Sequence, residues 1–558
     1  MKKTIAALLL LMILISGVWA YQNTFTPESP EWKFLIGLYR LQGKTIHGVI
    51  TPVSAQGMLF LLNELDIEEF PEQVRLQALK LKNELENPST MFDMRNLKAE
   101  LRPYASLAGV GNTSKEIEFD KLPLEYRNIE PLLEVQALLM PSDFIAGFIR
   151  LDLVKAANQY ESGKLDTNFE TDLAGSSMDF YRPHRAYVSL GGHNLNLIIG
   201  RDLLSAGLGY SGNLLIGDNF FFQDFIKASY LGPFLSYDLS ITTFDSNNGT
   251  LADAETSLKP STWDEMHPEV LNHRISFNFF HKVTLTLTEG LMNYTDNALG
   301  NAKMLNPFNI LHNQFTFRNQ RINNFFAIEL DWAVAPGWSF HSQFIGDQIQ
   351  LPFESVDLTP NSYGLLANLS FAIPIKSGIS TFYIEGVYTS PSLYLKDTKT
   401  IDGEVYDHEH IDLIFGNKLT GRYDISYMGY INGPDAIVAE TGFRINSLNG
   451  FCAAASFMYM AHGENRIHSD NSVSEAPVMG EDEPKFIFTP TKTDGVTDVE
   501  HTFVIKATAE MLIGDSVTVE AGAALQRMLN YMNEIGKDIW DASFQLTIRI
   551  DAMSLFGL

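Results

Sequence analysis

Few groupings in this chain have the residue types and spacing for chemistry. Asp407-His408-Glu409-His410, with Asp412 beyond, gathers imidazoles and carboxylates that could ligate a metal. On a strand, His408 and His410 would share a face. With no second anchoring cluster nearby, a solvated acidic loop is the better reading, because a specific site needs ligands fixed in place. Gly480-Glu481-Asp482-Glu483 likewise reads as solvated charge. Cys452, in Phe451-Cys452-Ala453-Ala454-Ala455, is the single cysteine. It reads as a small strand residue and excludes an internal disulfide framework or a multi-thiolate metal site. No Gly-x-Ser-x-Gly elbow occurs, and nothing singles out a glycosidase pair among the many carboxylates. The expectation is a protein that is not an enzyme, with no catalytic residue, metal or cofactor. The remaining candidates lie in one Gly-rich block, Gly200-Arg201-Asp202-Leu203-Leu204-Ser205-Ala206-Gly207-Leu208-Gly209-Tyr210-Ser211-Gly212-Asn213-Leu214-Leu215-Ile216-Gly217-Asp218-Asn219. Arg201, Asp202, Asn213, Asp218 and Asn219 are its candidate ligand-binding groups, although Arg201 and Asp202 could instead pair with each other to pin the turn.

The elements that must position this block begin after an export signal. Lys2 and Lys3 precede the apolar run Ala6–Ile15, and Val18 and Ala20 stand where a cleavage site wants small residues, so residues 1–20 read as a secretory signal peptide. Residues 21–95 read as a helical region. Ser29-Pro30 opens a first helix carrying Trp32, Leu35, Ile36 and Tyr39 at helical spacing. Ser54 caps a second, with Met58, Leu61, Leu62 and Leu65 on one face. Pro71 starts a third, with Val74, Ala78, Leu81 and Leu85. These faces would pack on each other or on the end of the next domain.

From about residue 96 the period changes from 3.6 to 2. Phe326, Ile328, Leu330, Trp332 and Val334 alternate with Ala327, Glu329, Asp331 and Ala333; Val283–Thr288 and Phe544–Ile550 carry the same code. Nineteen candidate strands can be marked, the weakest at 411–418, and about eighteen is the natural closure. Short turns such as Pro336-Gly337, Ser377-Gly378 and Gly514-Asp515 alternate with long connections such as 391–410 and 462–500, as in outer-membrane barrels. A soluble propeller would show a blade-length repeat, and none is present. The expectation is an all-β transmembrane antiparallel barrel over residues 96–558 with a small N-terminal helical periplasmic part.

The 200–219 block resembles the Wzi capsule-assembly family of outer-membrane proteins, with its strand ending in Gly-Arg, Ser-x-Gly-x-Gly turn, Gly-Asn-Leu-Leu, and acidic-Asn pair. Tyr39-Arg40-Leu41, Thr51-Pro52-x-Ser54, Leu305-Asn306-Pro307-Phe308 with His312-Asn313, and Gly346-Asp347-Gln348-Ile349-Gln350-Leu351 extend it in the same order. The resemblance implies a barrel with a periplasmic helical part that binds surface or capsular polysaccharide and assists its assembly or attachment. Its partners would be that glycan, outer-membrane lipid and the barrel-assembly machinery. Asn, Asp and Arg in the block would bond sugar hydroxyls, and loop residues Tyr294, Asn297, Asn301, Tyr394, Tyr406 and Tyr423 could stack on or bond sugar rings, although aromatic girdles also consume tyrosines. A porin-like channel, cation-favouring because acidic, is the alternative. The charge balance of 40 Lys+Arg against 67 Asp+Glu, net −27, excludes a nucleic-acid partner, which needs surplus cations.

Overall fold

The computed structural model describes residues 21–88, 92–94, 97–117, 122–124, 129–156, 159–169, 178–180, 184–192, 194–245, 267–295, 305–306, 322–349, 361–395, 398–401, 404–407, 413–418, 423–467 and 490–556. The signal peptide and the His408–Asp412 cluster lie outside them, as do Asn297 and Asn301.

Eighteen antiparallel strands form the wall: β1 (Leu97–Asn112), β2 (Leu133–Ser142), β3 (Ile145–Lys155), β4 (Ala186–Gly192), β5 (Leu195–Asp202), β6 (Gln223–Leu231), β7 (Leu235–Thr243), β8 (His267–Phe279), β9 (Val283–Thr295), β10 (Ile322–Ala335), β11 (Trp338–Gln348), β12 (Ser362–Ile375), β13 (Gly378–Thr389), β14 (Ala436–Asn446), β15 (Phe451–His462), β16 (Glu500–Ile513), β17 (Val517–Leu529) and β18 (Ile539–Asp551). Each pairs with its neighbour in sequence, and β18 closes on β1 through Ser543↔Asn112 to Asp551↔Tyr104. The nineteenth candidate strand, 411–418, is not part of the wall. Ile414–Lys418 instead forms a hairpin with Tyr423–Tyr427 inside the β13–β14 connection. Its pairing partner comes from its own loop, which a period-2 pattern alone cannot reveal.

The alternation sorts as membrane insertion demands. On β10, Phe326, Ile328, Trp332 and Val334 point outward and are exposed to the lipid side, while Ala327, Glu329, Asp331 and Ala333 point inward and are buried. Outward Ile384, Phe382, Leu546 and Phe544 continue the belt. No helix among the described residues is long and apolar enough to cross a membrane; the strands do the spanning.

Three helices sit at the end of the barrel that carries the short turns: α1 (Pro30–Leu41), α2 (Ala55–Asn63) and α3 (Glu72–Glu86). Ser54 caps α2 by accepting from Gly57 N at 3.2 Å. Phe34, Leu35, Leu38, Met58, Leu61 and Leu81 are buried in one cluster that includes the wall residues Leu138, Met140, Leu231 and Ile379. Gly337 N, in the β10–β11 turn, donates to Arg40 O at 2.8 Å, and Gln77 Nε2 donates to Ser377 O at 3.0 Å. The helices thus pack both on each other and on the barrel end.

Lipid exposure of the apolar face gives a direct test. Ile328→Lys places a charge near the middle of β10 and should cost about 2–4 kcal/mol if it meets the bilayer midplane. Equilibrium refolding into lipid vesicles, followed by heat-sensitive gel migration, measures the loss. An unchanged transition would refute the outward assignment.

Candidate functional site

The 203–222 segment connects β5 to β6 at the long-loop end, and it turns into the lumen. Ser205–Ala206 pairs with Ile50–Thr51 of the N-terminal region, and Ala206 bridges Ile216. The Ser-x-Gly-x-Gly turn has a steric cause. Gly207 adopts φ +121° with Gln343 where a Cβ would stand, and a Cβ on Gly209 would collide with the Gly212 carbonyl; only glycine fits both places. Wall side chains then hold the turn's backbone. Gln343 Oε1 accepts from Leu214 N at 2.8 Å. Glu385 accepts from Tyr210 N at 2.8 Å, Ser211 N at 2.7 Å and Ser211 Oγ at 2.6 Å. The Tyr210 ring stacks on Tyr383 with centroids 3.7 Å apart and planes 3° from parallel. Arg40 donates to its hydroxyl at 2.6 Å, and Arg444 lies over the ring and donates to its carbonyl at 2.7 Å.

The candidate residues separate into fasteners and one accessible group. Arg201 and Asp202 do not pair with each other. Adjacent strand residues face opposite ways, so Arg201 forms a two-pronged ion pair with Asp224 (2.8 and 2.6 Å) with Phe222 under its guanidinium, while buried Asp202 pairs with Arg185 (2.8 and 3.0 Å). Asn213 is buried, accepting from Gly209 N at 3.0 Å and donating to Ser205 Oγ at 3.0 Å. Asn219 is buried and donates to Tyr427 O at 3.3 Å. Asp218 alone is exposed. The loop aromatic Tyr394 is fully buried; its hydroxyl donates to Leu214 O at 2.5 Å and accepts from Tyr430 N at 3.1 Å. It is therefore a packing residue that joins the 203–222 segment to the 390–435 connection. Gly217 N, donating to Met428 O at 3.0 Å, adds a second joint.

A third segment fills the lumen beside β5–β9. Lys227 Nζ donates to Pro52 O at 2.6 Å, Asp238 accepts from Ile50 N at 3.1 Å, and Arg274 Nε donates to Gly48 O at 3.0 Å while its guanidinium pairs with Glu329. These inward-facing charges (Lys227, Asp238, Arg274, Glu329, Glu385) were legible as polar strand positions. Their role as fasteners was not, because their partners lie 50 to 230 residues away in the sequence.

The opposite side of the lumen is wetter. Glu510 faces inward on β16, between Cys452 on β15 and Glu520 on β17, and is exposed. Glu28 is exposed as well, within electrostatic reach of Lys33, Asp218, Arg185 and Arg150. Enclosure by the barrel pushes its carboxyl above the ordinary range even though Lys33 pulls the other way. The same enclosure pulls the Lys33 ammonium down against the pull of Glu28. Asp218 and Glu28 are thus exposed carboxylates, with half-buried Lys33 within electrostatic reach of both. Among the described residues, one trio of His and acidic side chains is close enough to share a cation: His47, Glu64 and His281, at the short-turn end.

No family model and no curated protein matches this chain. Among solved structures it is similar to Wzi of Escherichia coli, described as an outer-membrane protein involved in group 1 capsule assembly and a carbohydrate-binding β-barrel. The two share 13% identity at a TM-score of 0.55, over 96% of this chain and 99% of that one. The DcaP channel of Acinetobacter baumannii matches at 9% identity and a TM-score of 0.37 over 83% of this chain and 99% of that one. OpdP (OccD3) of Pseudomonas aeruginosa matches at 9% and 0.39, over 83% and 94%.

Two outcomes follow. Glu385→Leu leaves Tyr210 N and Ser211 N without their acceptor, a loss of roughly 1–3 kcal/mol. Hydrogen exchange across residues 205–216 should quicken by about tenfold or more, with wall strands unchanged; equal protection would refute the latch. For Glu28, a raised native pKa means the native carboxylate costs stability above the unfolded value of 4.5 and nothing below it. Glu28→Gln should therefore raise the thermal midpoint at neutral pH, with the gain vanishing near about pH 4. A gain at low pH alone would contradict the assignment.

Proposed function

We propose that the protein binds surface polysaccharide at the outer membrane and assists assembly or attachment of capsule or exopolysaccharide. The carrying observation is the occupied lumen. Three segments of the chain (44–57, 203–222 and the described parts of the 390–435 connection, among them 390–395 and 423–435) interlock across it and are hydrogen-bonded to inward wall side chains or to one another. A barrel whose interior is filled by its own backbone is suited to presenting a fixed surface rather than to free passage of solutes. Exposed Asp218 and Glu28, with Lys33 in electrostatic reach, offer carboxylates and a cation of the kind that bond sugar hydroxyls. The fold likeness to a carbohydrate-binding barrel agrees with this reading.

A cation-conducting channel is the second reading, favoured by exposed, inward-facing Glu510. Planar-bilayer recordings separate the two. The wild-type protein is expected to show no resolved conductance steps, and Glu385→Leu, which loosens the 208–212 turn of the 203–222 segment, to introduce brief ones. Steady wild-type conductance would favour the channel. In a host that makes a capsule or exopolysaccharide, deletion should release surface glycan into the medium without lowering its synthesis. Glycan retention unchanged from the parent strain would sink the polysaccharide reading.

A further inference from the structure

The trio His47, Glu64 and His281 brings together three parts of the chain that share no secondary-structure element. His47 lies between α1 and α2, Glu64 directly follows α2, and His281 sits in the turn between β8 and β9. Nε2 of buried His47 is 3.2 Å from each Glu64 carboxylate oxygen. His281 Nδ1 is 3.8 Å from Glu64 Oε2, and all three donor atoms lie within 4.8 Å of one another. Donors on a tetrahedral zinc ion, with bonds of about 2.0–2.1 Å, stand about 3.4 Å apart. The two spacings to Glu64 fall on either side of that value.

The surroundings hold the trio in place. Thr45 N donates to His281 O at 2.8 Å, and His281 N donates to Asn278 Oδ1 at 2.8 Å, which fixes the turn at a positive φ of 54°. Tyr39 Oη donates to Glu64 Oε2 at 2.7 Å, leaving the carboxylate lone pairs for a further partner. Lys44 Nζ bonds the Glu64 main-chain oxygen at 2.7 Å. His281 Nδ1 is buried and has no hydrogen-bond partner. At 3.8 Å from a carboxylate oxygen it is too far to hydrogen-bond, but placed as a second ligand of one ion would be.

We propose that His47 Nε2, Glu64 and His281 Nδ1 bind one divalent transition-metal ion of the zinc class, with water completing the coordination. Two imidazoles and one carboxylate suit such an ion, whereas calcium and magnesium favour all-oxygen sets. The ion ties the helical plug to the barrel wall: two of its ligands come from the N-terminal region and one from a wall turn.

The test uses the purified full-length protein in detergent, stripped with EDTA and titrated with ZnCl2 by calorimetry, with CoCl2 absorption as a geometry reporter. One high-affinity equivalent is expected in the wild type, and zinc should raise its thermal midpoint. His281→Asn and Glu64→Gln should each weaken that equivalent at least about tenfold and abolish the zinc-dependent shift. Both substitutions are chosen to preserve the fold: asparagine accepts a positive φ, and glutamine keeps an acceptor for Tyr39. Heat-sensitive gel migration checks that both barrels have formed. The double variant His408→Ala/His410→Ala should retain the equivalent. Absence of wild-type binding, equal affinity in His281→Asn and Glu64→Gln, or loss of the equivalent in the His408/His410 variant overturns the site.

Discussion

Hydrocarbon offers no hydrogen bonds, so every backbone amide and carbonyl that crosses a membrane must be paired within the protein. Closure of β18 onto β1 meets that demand, and the rest of the architecture follows from it. A closed wall of alternating residues has one face for lipid and one for a lumen. Where the wall is thin, loop backbone completes it. β1 and β2 pair only over Lys98–Ala105 with Leu133–Met140, and above them Gly109–Gly111 pairs with Leu165–Thr167. Beyond the shared stretch of β3 and β4, Leu153–Lys155 pairs with Met178–Phe180.

The second consequence lies inside. An eighteen-strand barrel is too wide for its wall side chains to meet at the centre, and its inward residues are polar. Filling that space with apolar side chains alone would strand buried charges at a cost of several kcal/mol each. The plug resolves this by presenting backbone. Lys227 and Arg274 end on carbonyls of residues 48–52, and Asp238, Gln343 and Glu385 end on amides of residues 50 and 210–214. The wall is thus a set of fixed donors and acceptors that selects one path for each inserted segment. Sharp entries such as Gly207 and Gly209 require glycine because the chain passes so close to Gln343 and to itself.

This division decides what could be read from sequence. The wall was legible because its code is local: period 2 placed Phe326, Ile328 and Trp332 on one face and Glu329 and Asp331 on the other, whatever lay elsewhere in the chain. The helices were legible for the same reason, through the Ser54 cap and the apolar stripes. Partnership was not legible. Arg201 and Asp202 looked like a pair because they are adjacent, yet strand geometry sends them to Asp224 and Arg185. Tyr394 looked like a loop aromatic and is buried against Leu214. His47, Glu64 and His281 carried no local signal at all, since their proximity arises only when the helices dock on the β8–β9 turn.

The acidity of the chain is also a matter of position. On the wall, inward carboxylates such as Glu329, Asp202 and Glu134 are matched by Arg274, Arg185, and Arg150 with Arg549. Their charge is cancelled within the barrel and repels nothing outside. Other buried carboxylates, such as Glu385 and Asp238, are met by backbone amides of the inserted segments, whereas Asp218, Glu28 and Glu510 are exposed to water. The nearby cations Arg185 and Arg150 are already committed to Asp202, and to Glu134 and Asp152, so the proposed glycan would meet mainly the exposed carboxylates and Lys33. Acidic sugars would be held there only at short range, where a cation can bond a carboxylate directly, because at longer range the net charge of −27 opposes them. Neutral sugar hydroxyls face no such opposition, so on charge alone these exposed carboxylates would be better matched to them.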